Sequence, residues 1–191
     1  MKKKLTITLI ILGILLGVGA IIYSFTNKEA FFEQEQGSFS QSELLSMNKR
    51  IQTVMYSDEN YHSYYGGCYL KNGNLVILVT KEFKDAIPEV KEAISQEEGV
   101  IVRDAKYTYL ELKELNEELW DKRMELEESG SESTKAFLKD FNTGGVYEDE
   151  NRVYVGIKDL TLWKQIRFRT LFQLWGDGRI MFESNSGVLL D

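Results

Sequence analysis

Leu5 to Phe25, "LTITLIILGILLGVGAIIYSF", runs twenty-one residues without a charge. As a helix rising about 1.5 Å per residue, such a run spans roughly 30 Å, the thickness of a bilayer's hydrocarbon core. Its polar members, Thr6, Thr8 and Ser24, carry hydroxyls that bond back to helix carbonyls and cost little in lipid. Lys2, Lys3 and Lys4 precede the run and only Lys28 follows closely. That bias predicts a cytoplasmic N-terminus, with the rest of the chain outside. A cleavable secretory signal is the competing reading, because Val18-Gly19-Ala20 offers small residues at a cleavage position. The apolar Ile21, Ile22, Tyr23 and Phe25 beyond it favour an uncleaved anchor. No cysteine directly follows the run, which argues against a lipoprotein. The expected partner of residues 5–25 is the membrane, and the expected location a single-pass cell-membrane protein with an extracytoplasmic C-terminal domain.

The 163 residues from Glu29 to Asp191 suffice for one domain or two small packed lobes. They hold 19 of the 23 basic residues and all 30 acidic ones, a net charge of −11. Nucleic acid and anionic headgroups repel such a body, so no nucleic-acid partner is expected. The single cysteine, Cys68, leaves the fold to its apolar core, with no internal disulfide.

Residues 26–39 lack periodicity and read as a tether. Ser40 and Glu43 have the spacing of a capping box, and Leu44, Met47, Ile51, Val54 and Met55 follow at helical intervals. Asn72-Gly73 supplies the positive φ angles of a tight hairpin turn. To its left runs Tyr64 to Leu70. To its right "NLVILVT" is apolar on both faces, as a covered central strand is. A helix over 83–96 containing Pro88, a strand over 100–107, and a long acidic helix with Leu112, Leu115, Leu119 and Leu126 on one face come next. "SGSEST", 129–134, reads as a flexible break, with a short helical piece over 136–141. A second hairpin spans 145–157 around Asp149-Glu150-Asn151, a helix covers 160–175, and "RIMFES" is a final strand.

The expected fold is therefore α/β (α+β): an N-terminal transmembrane helix, then two ββαβ units joined by the long helix. The segments are 1–28 for the cytoplasmic lysines and anchor, 29–39 for the tether, 40–128 for the first unit with flanking helices, and 129–191 for the second unit and tail. "GGCYLKNGNLVILVT", "KYTYLELKELNEEL" and "EDENRVYVGI", taken in order, resemble the pro-segments of alpha-lytic-protease and streptogrisin-type secreted serine proteases. The likeness covers roughly residues 64–182, without the protease. It implies an α/β foldase-inhibitor fold that binds by extending a partner's β-sheet. It also implies an inhibitor-like use of the tail, Gly187 to Asp191.

No constellation on the chain points to catalysis. A thiol nucleophile needs a nearby base, and His62 stands six residues from Cys68, about 20 Å along extended chain. The expectation is a structural Cys68 and a surface His62. One His and one Cys build no ordinary zinc site, and the acidic turns lack calcium-loop spacing. Glu117-Glu118 and Glu127-Glu128 lie on a solvated helix face, and the glycine pairs 66–67 and 144–145 make no phosphate loop. No enzyme activity, cofactor or metal is expected. The helix over 160–175 is apolar around more than one stripe, so either it is wedged between layers or part of it presents a patch. Trp163, Phe168, Phe172 and Trp175 are its candidate partner-binding residues, and Arg167 and Arg169 are candidates to pair with the acidic helix. The expected function is a membrane-anchored, extracytoplasmic, non-enzymatic protein-interaction domain whose partner is another extracytoplasmic protein. The alternative is an inhibitor or folding helper of an extracellular serine protease.

Overall fold

Ser40 starts the fold: its Oγ accepts from the Glu43 N–H at 3.4 Å, and the Glu43 carboxylate accepts from the Ser40 N–H at 2.8 Å. The helix so capped, α1 (Gln41–Met55), buries Leu44, Met47, Ile51 and Met55 on one face. A single helical turn, α2 (Tyr61–Tyr64), leads into β1 (Tyr65–Lys71) and β2 (Asn74–Val79). Between them Asn72 and Gly73 take φ of 52° and 72°, the doubly left-handed turn that Asn-Gly favours. All six residues of β2 are buried, as a two-sided apolar strand requires. The helix expected over 83–96 is split. Thr80 caps a 3-10 turn, Lys81–Asp85, and Ile87 is held extended ahead of Pro88, so α3 (Pro88–Gln96) starts afresh with Pro at its first position. β3 (Val100–Asp104) then runs parallel to β2.

A second capping box, Thr108 with Glu111, opens α4 (Tyr109–Ser129). The segment expected to be a flexible break instead opens a helix. Ser131 Oγ accepts from the Thr134 N–H at 3.2 Å, and α5 (Glu132–Leu138) buries Phe137 and Leu138. The second hairpin, β4 (Phe141–Tyr147) and β5 (Arg152–Lys158), starts earlier than its valine alternation suggests. α6 (Leu162–Leu171) is shorter than expected: Gln173 turns left-handed at φ 57°, and Arg169 Nη1 donates to the Leu174 carbonyl at 2.9 Å. β6 (Ile180–Asn185) pairs parallel to β5.

The computed structural model describes residues 39–185, all within the compact unit Gly37–Asp191. The expected span at 5–25, all of the tether before residue 39, and the tail Gly187 to Asp191 lie outside the described residues. Among the described residues no helix is long and apolar enough to cross a membrane.

These residues form a mixed α/β fold with two three-stranded sheets, ordered β1-β2-β3 and β4-β5-β6. Each sheet has its own core. Leu75, Ile77 and Val79 pack with α1 and α3, while Val153, Val155 and Ile157 pack with α4, α5 and α6. Leu112, Leu115 and Leu119 of α4 belong to the second core, so the cores divide at residues 105–108, not at 129. The long helix opens the second unit and is no neutral joint, although Tyr109 at its start still packs on the first core.

The two halves match more closely than their strands alone suggest. Counted from the cap, Leu44, Met47, Asn48, Ile51 and Gln52 of α1 take the places of Leu112, Leu115, Asn116, Leu119 and Trp120 of α4. Both hairpins carry a register shift at the same point, between Tyr65 and Gly67 and between Phe141 and Thr143. The register then sets Cys68 opposite Ile77 and Gly144 opposite Val155. Each half is thus a helix, a hairpin, a second helix and a strand parallel to the centre.

Asn151 fastens the halves together. Its Oδ1 accepts from the N–H groups of Lys106 (2.9 Å) and Tyr107 (2.8 Å), and its Nδ2 donates to the carbonyls of Gly66 (3.1 Å) and Tyr107 (2.9 Å). It is 8% exposed and takes φ 49°, a conformation Asn tolerates better than most residues. Lys71 reaches Asp149 at 3.2 Å beside it.

Candidate functional site

The bulge that shifts the register of β1 turns Gly67 to φ 116°, and a Cβ there would meet Glu148 Cγ at 3.2 Å. The bare backbone lets the turn of the second hairpin close on the first sheet, with the Glu148 side chain laid against Gly67. Above this contact lies a cavity of about 430 Å³ between α1, β1, α4 and that turn.

Its floor is polar. The Cys68 thiol donates to Asn48 Oδ1 at 3.4 Å, Gln52 Nε2 donates to Cys68 Sγ at 3.9 Å, and the Tyr65 hydroxyl sits among the same groups. The walls are tyrosines: Tyr65 and Tyr109, ring centroids 5.9 Å apart, and Tyr56 and Tyr61, edge to face at 4.9 Å. Tyr56 is 56% exposed and stands at the mouth.

His62 lines the same cavity as Cys68, although it was expected far along an extended chain. The turn of α2 folds that stretch back. His62 itself is exposed, as expected, and stacks on Tyr61 at 3.7 Å. Among the described residues no hydrogen bond joins it to Cys68. Burial pushes the Cys68 thiol up from its ordinary value, and the Glu148 carboxylate adds to the push. A thiol so placed stays protonated at neutral pH, whereas a nucleophile needs the thiolate. Burial likewise raises Glu148, opposed by the Cys68 N–H. Burial first, then Cys68 and Glu148, raises Tyr65. The arrangement suits binding better than bond-breaking.

The four candidate contact residues divide. Phe168 and Phe172 are core, 0% and 7% exposed, stacked at 4.1 Å and edge-on to Phe141. Neither can contact a partner, because α6 is wedged against the second sheet along this face. Trp163 and Trp175 are 78% and 61% exposed, with Leu162 at 68% beside the first. The arginines do not pair with α4. Arg167 donates to the carbonyl and hydroxyl of Ser133 and lies over the Phe137 ring, and Arg169 closes the end of α6. Among the described residues no cluster of three or more His, Cys, Asp or Glu could hold a metal ion.

Tyr56, Tyr61, Tyr109, Gln52 and Glu148 are not among the candidate residues of the sequence. The run "MYSDENYHSYYGG" is dense in tyrosine, and that density was the available signal. In the sequence Asp58 is one acid among several in a polar turn. Asp58 is 2% exposed and accepts from the N–H groups of Asn60 and Ile87 and from the Tyr64 hydroxyl, at 2.9, 3.1 and 3.1 Å.

No protein-family model matches the chain, and no curated protein does.

Proposed function

We infer that this protein is a membrane-tethered, extracytoplasmic binding module that engages another protein without chemistry of its own. The exposure of Trp163 carries the reading. A tryptophan 78% open to water at the start of a helix whose Phe168 is buried is the kind of residue that anchors an interface. Open sheets add to it, since a partner strand can extend an unpaired edge through main-chain hydrogen bonds. Of the edge strands β1 is occupied by Glu148 and Asn151, which leaves β3, β4 and β6 without a second strand among the described residues. The uncharged run from Leu5 to Phe25 and its lysine bias support the tether.

The second reading, an inhibitor or folding helper of an extracellular serine protease, draws on the resemblance to protease pro-segments. The asparagine of "EDENRVYVGI", one residue of that resemblance, is the Asn151 that holds the two halves together. A pull-down with residues 29–191 tests both. The module reading expects a discrete protein captured by the wild type and lost with Trp163→Ala/Trp175→Ala. Capture of a serine protease whose activity falls on binding moves the weight to the second reading. Identical capture by both forms removes the tryptophans from the account.

A further inference from the structure

We propose that the cavity between α1, β1, α4 and the second hairpin's turn is a binding site for an organic ammonium group, received by the Glu148 carboxylate within tyrosine walls. The site goes beyond the protein-binding surface inferred above and uses none of its residues.

Three observations meet there. Glu148 is half-buried, lies with its Cγ 3.2 Å and its Oε1 3.5 Å from a Cβ built on Gly67, and is paired with no cation among the described residues. A partly desolvated carboxylate without a counter-charge is costly and draws a cation. The walls are of the kind that receives alkylated nitrogen: tyrosine rings attract a cation through their quadrupole, most strongly where water is excluded. The cations already at the wall are otherwise engaged. Lys113 is drawn outward to Glu117 at 3.7 Å, and His62 lies against Tyr61.

The duplication argues that the cavity is built and is no packing accident. In the second half the place of Gln52 is taken by Trp120, which stacks on Phe141 at 5.3 Å and comes within 3.7 Å of a Cβ built on Gly144. The corresponding trio in the first half is Gln52, Tyr65 and Cys68. The same scaffold therefore has a plugged version and an open one, and the open one holds the tyrosines and the acid. At about 430 Å³ the space falls within the roughly 300–1,000 Å³ of small-ligand sites. That suits a choline-sized head or the end of a lysine side chain, two sources of one chemistry.

The test is calorimetric titration of residues 29–191 with choline, with its uncharged carbon isostere 3,3-dimethylbutan-1-ol, and with Nα-acetyl-lysine methylamide. At least one ammonium should bind saturably and about tenfold or more tighter than the isostere, the scale of a desolvated cation–π contact. Choline ahead of the lysine derivative points to a free quaternary amine, and the reverse order to a protein side chain. Glu148→Gln should lose about tenfold or more. Gln52→Trp, which copies the plug of the second half, should abolish binding while leaving the unfolding midpoint unchanged or raised. Absence of saturable binding to folded wild type, equal binding of the isostere, or undiminished binding by Gln52→Trp would each overturn the assignment.

Discussion

Asp58 illustrates how much one side chain can hold. Its carboxylate ties the end of α1 to the start of α3, accepting from Asn60 and Ile87 and from the buried Tyr64 hydroxyl. The Asn60 N–H leads in holding its pKa below the ordinary aspartate value, against the opposing pull of burial. A carboxylate depressed on folding contributes stability that is complete above its unfolded value, near pH 4, and lost as pH falls through the folded one. Asp58→Asn should therefore cost about 2 kcal/mol at pH 7. Its denaturation midpoint should also fall less steeply than wild type's between pH 5 and pH 3, the window below and around the unfolded value. Equal acid sensitivity in the two proteins would remove Asp58 from this role. The sequence shows Asp58 only as an acid in "SDEN"; its burial depends on Pro88 restarting the helix and presenting the Ile87 N–H, a contact between distant residues that no local pattern encodes.

Among elements, the two hairpins and their capped helices were legible because their signals are local. Asn72-Gly73 dictates its turn and Ser40 with Glu43 dictates its helix start, while the capping box of Thr108 with Glu111 emerges only in the structure. The break expected at 129–134 failed for a tertiary reason: the second core needs Phe137 and Leu138, and Ser131 supplies a cap that outweighs a polar composition. The correspondence of α1 with α4 was masked because α4 carries its leucines beneath a far more acidic surface. The clasp at Asn151 was legible as a turn residue but not as the bond between halves. Removing it orphans backbone groups of both. Asn151→Ala should cost about 3 kcal/mol or more, a fall of roughly 10 °C in unfolding temperature for a domain of this size. Asn151→Asp, which keeps the acceptors and loses the two donors, should fall between. A shift below about 2 °C for the alanine form would mean that the halves are held by other contacts.

At the scale of the molecule, a duplicated scaffold has been put to two uses. One half is closed around aromatic packing, Trp120 on Phe141 and Phe168 on Phe172, and carries exposed tryptophans outside. The other keeps a tyrosine-walled space with an unpaired acid. On the proposed reading both uses are recognition, and the charge of −11 beyond residue 28 would keep such a body clear of anionic headgroups. Photo-crosslinking in intact host cells, from a benzoylphenylalanine placed at position 163 of the full chain, tests this most directly; position 128, on the exposed acidic helix, serves as the control. A discrete protein adduct is expected from position 163, absent from position 128 and destroyed by protease added outside the cells. No adduct, the same adducts from both positions, or an adduct that survives external protease would contradict it.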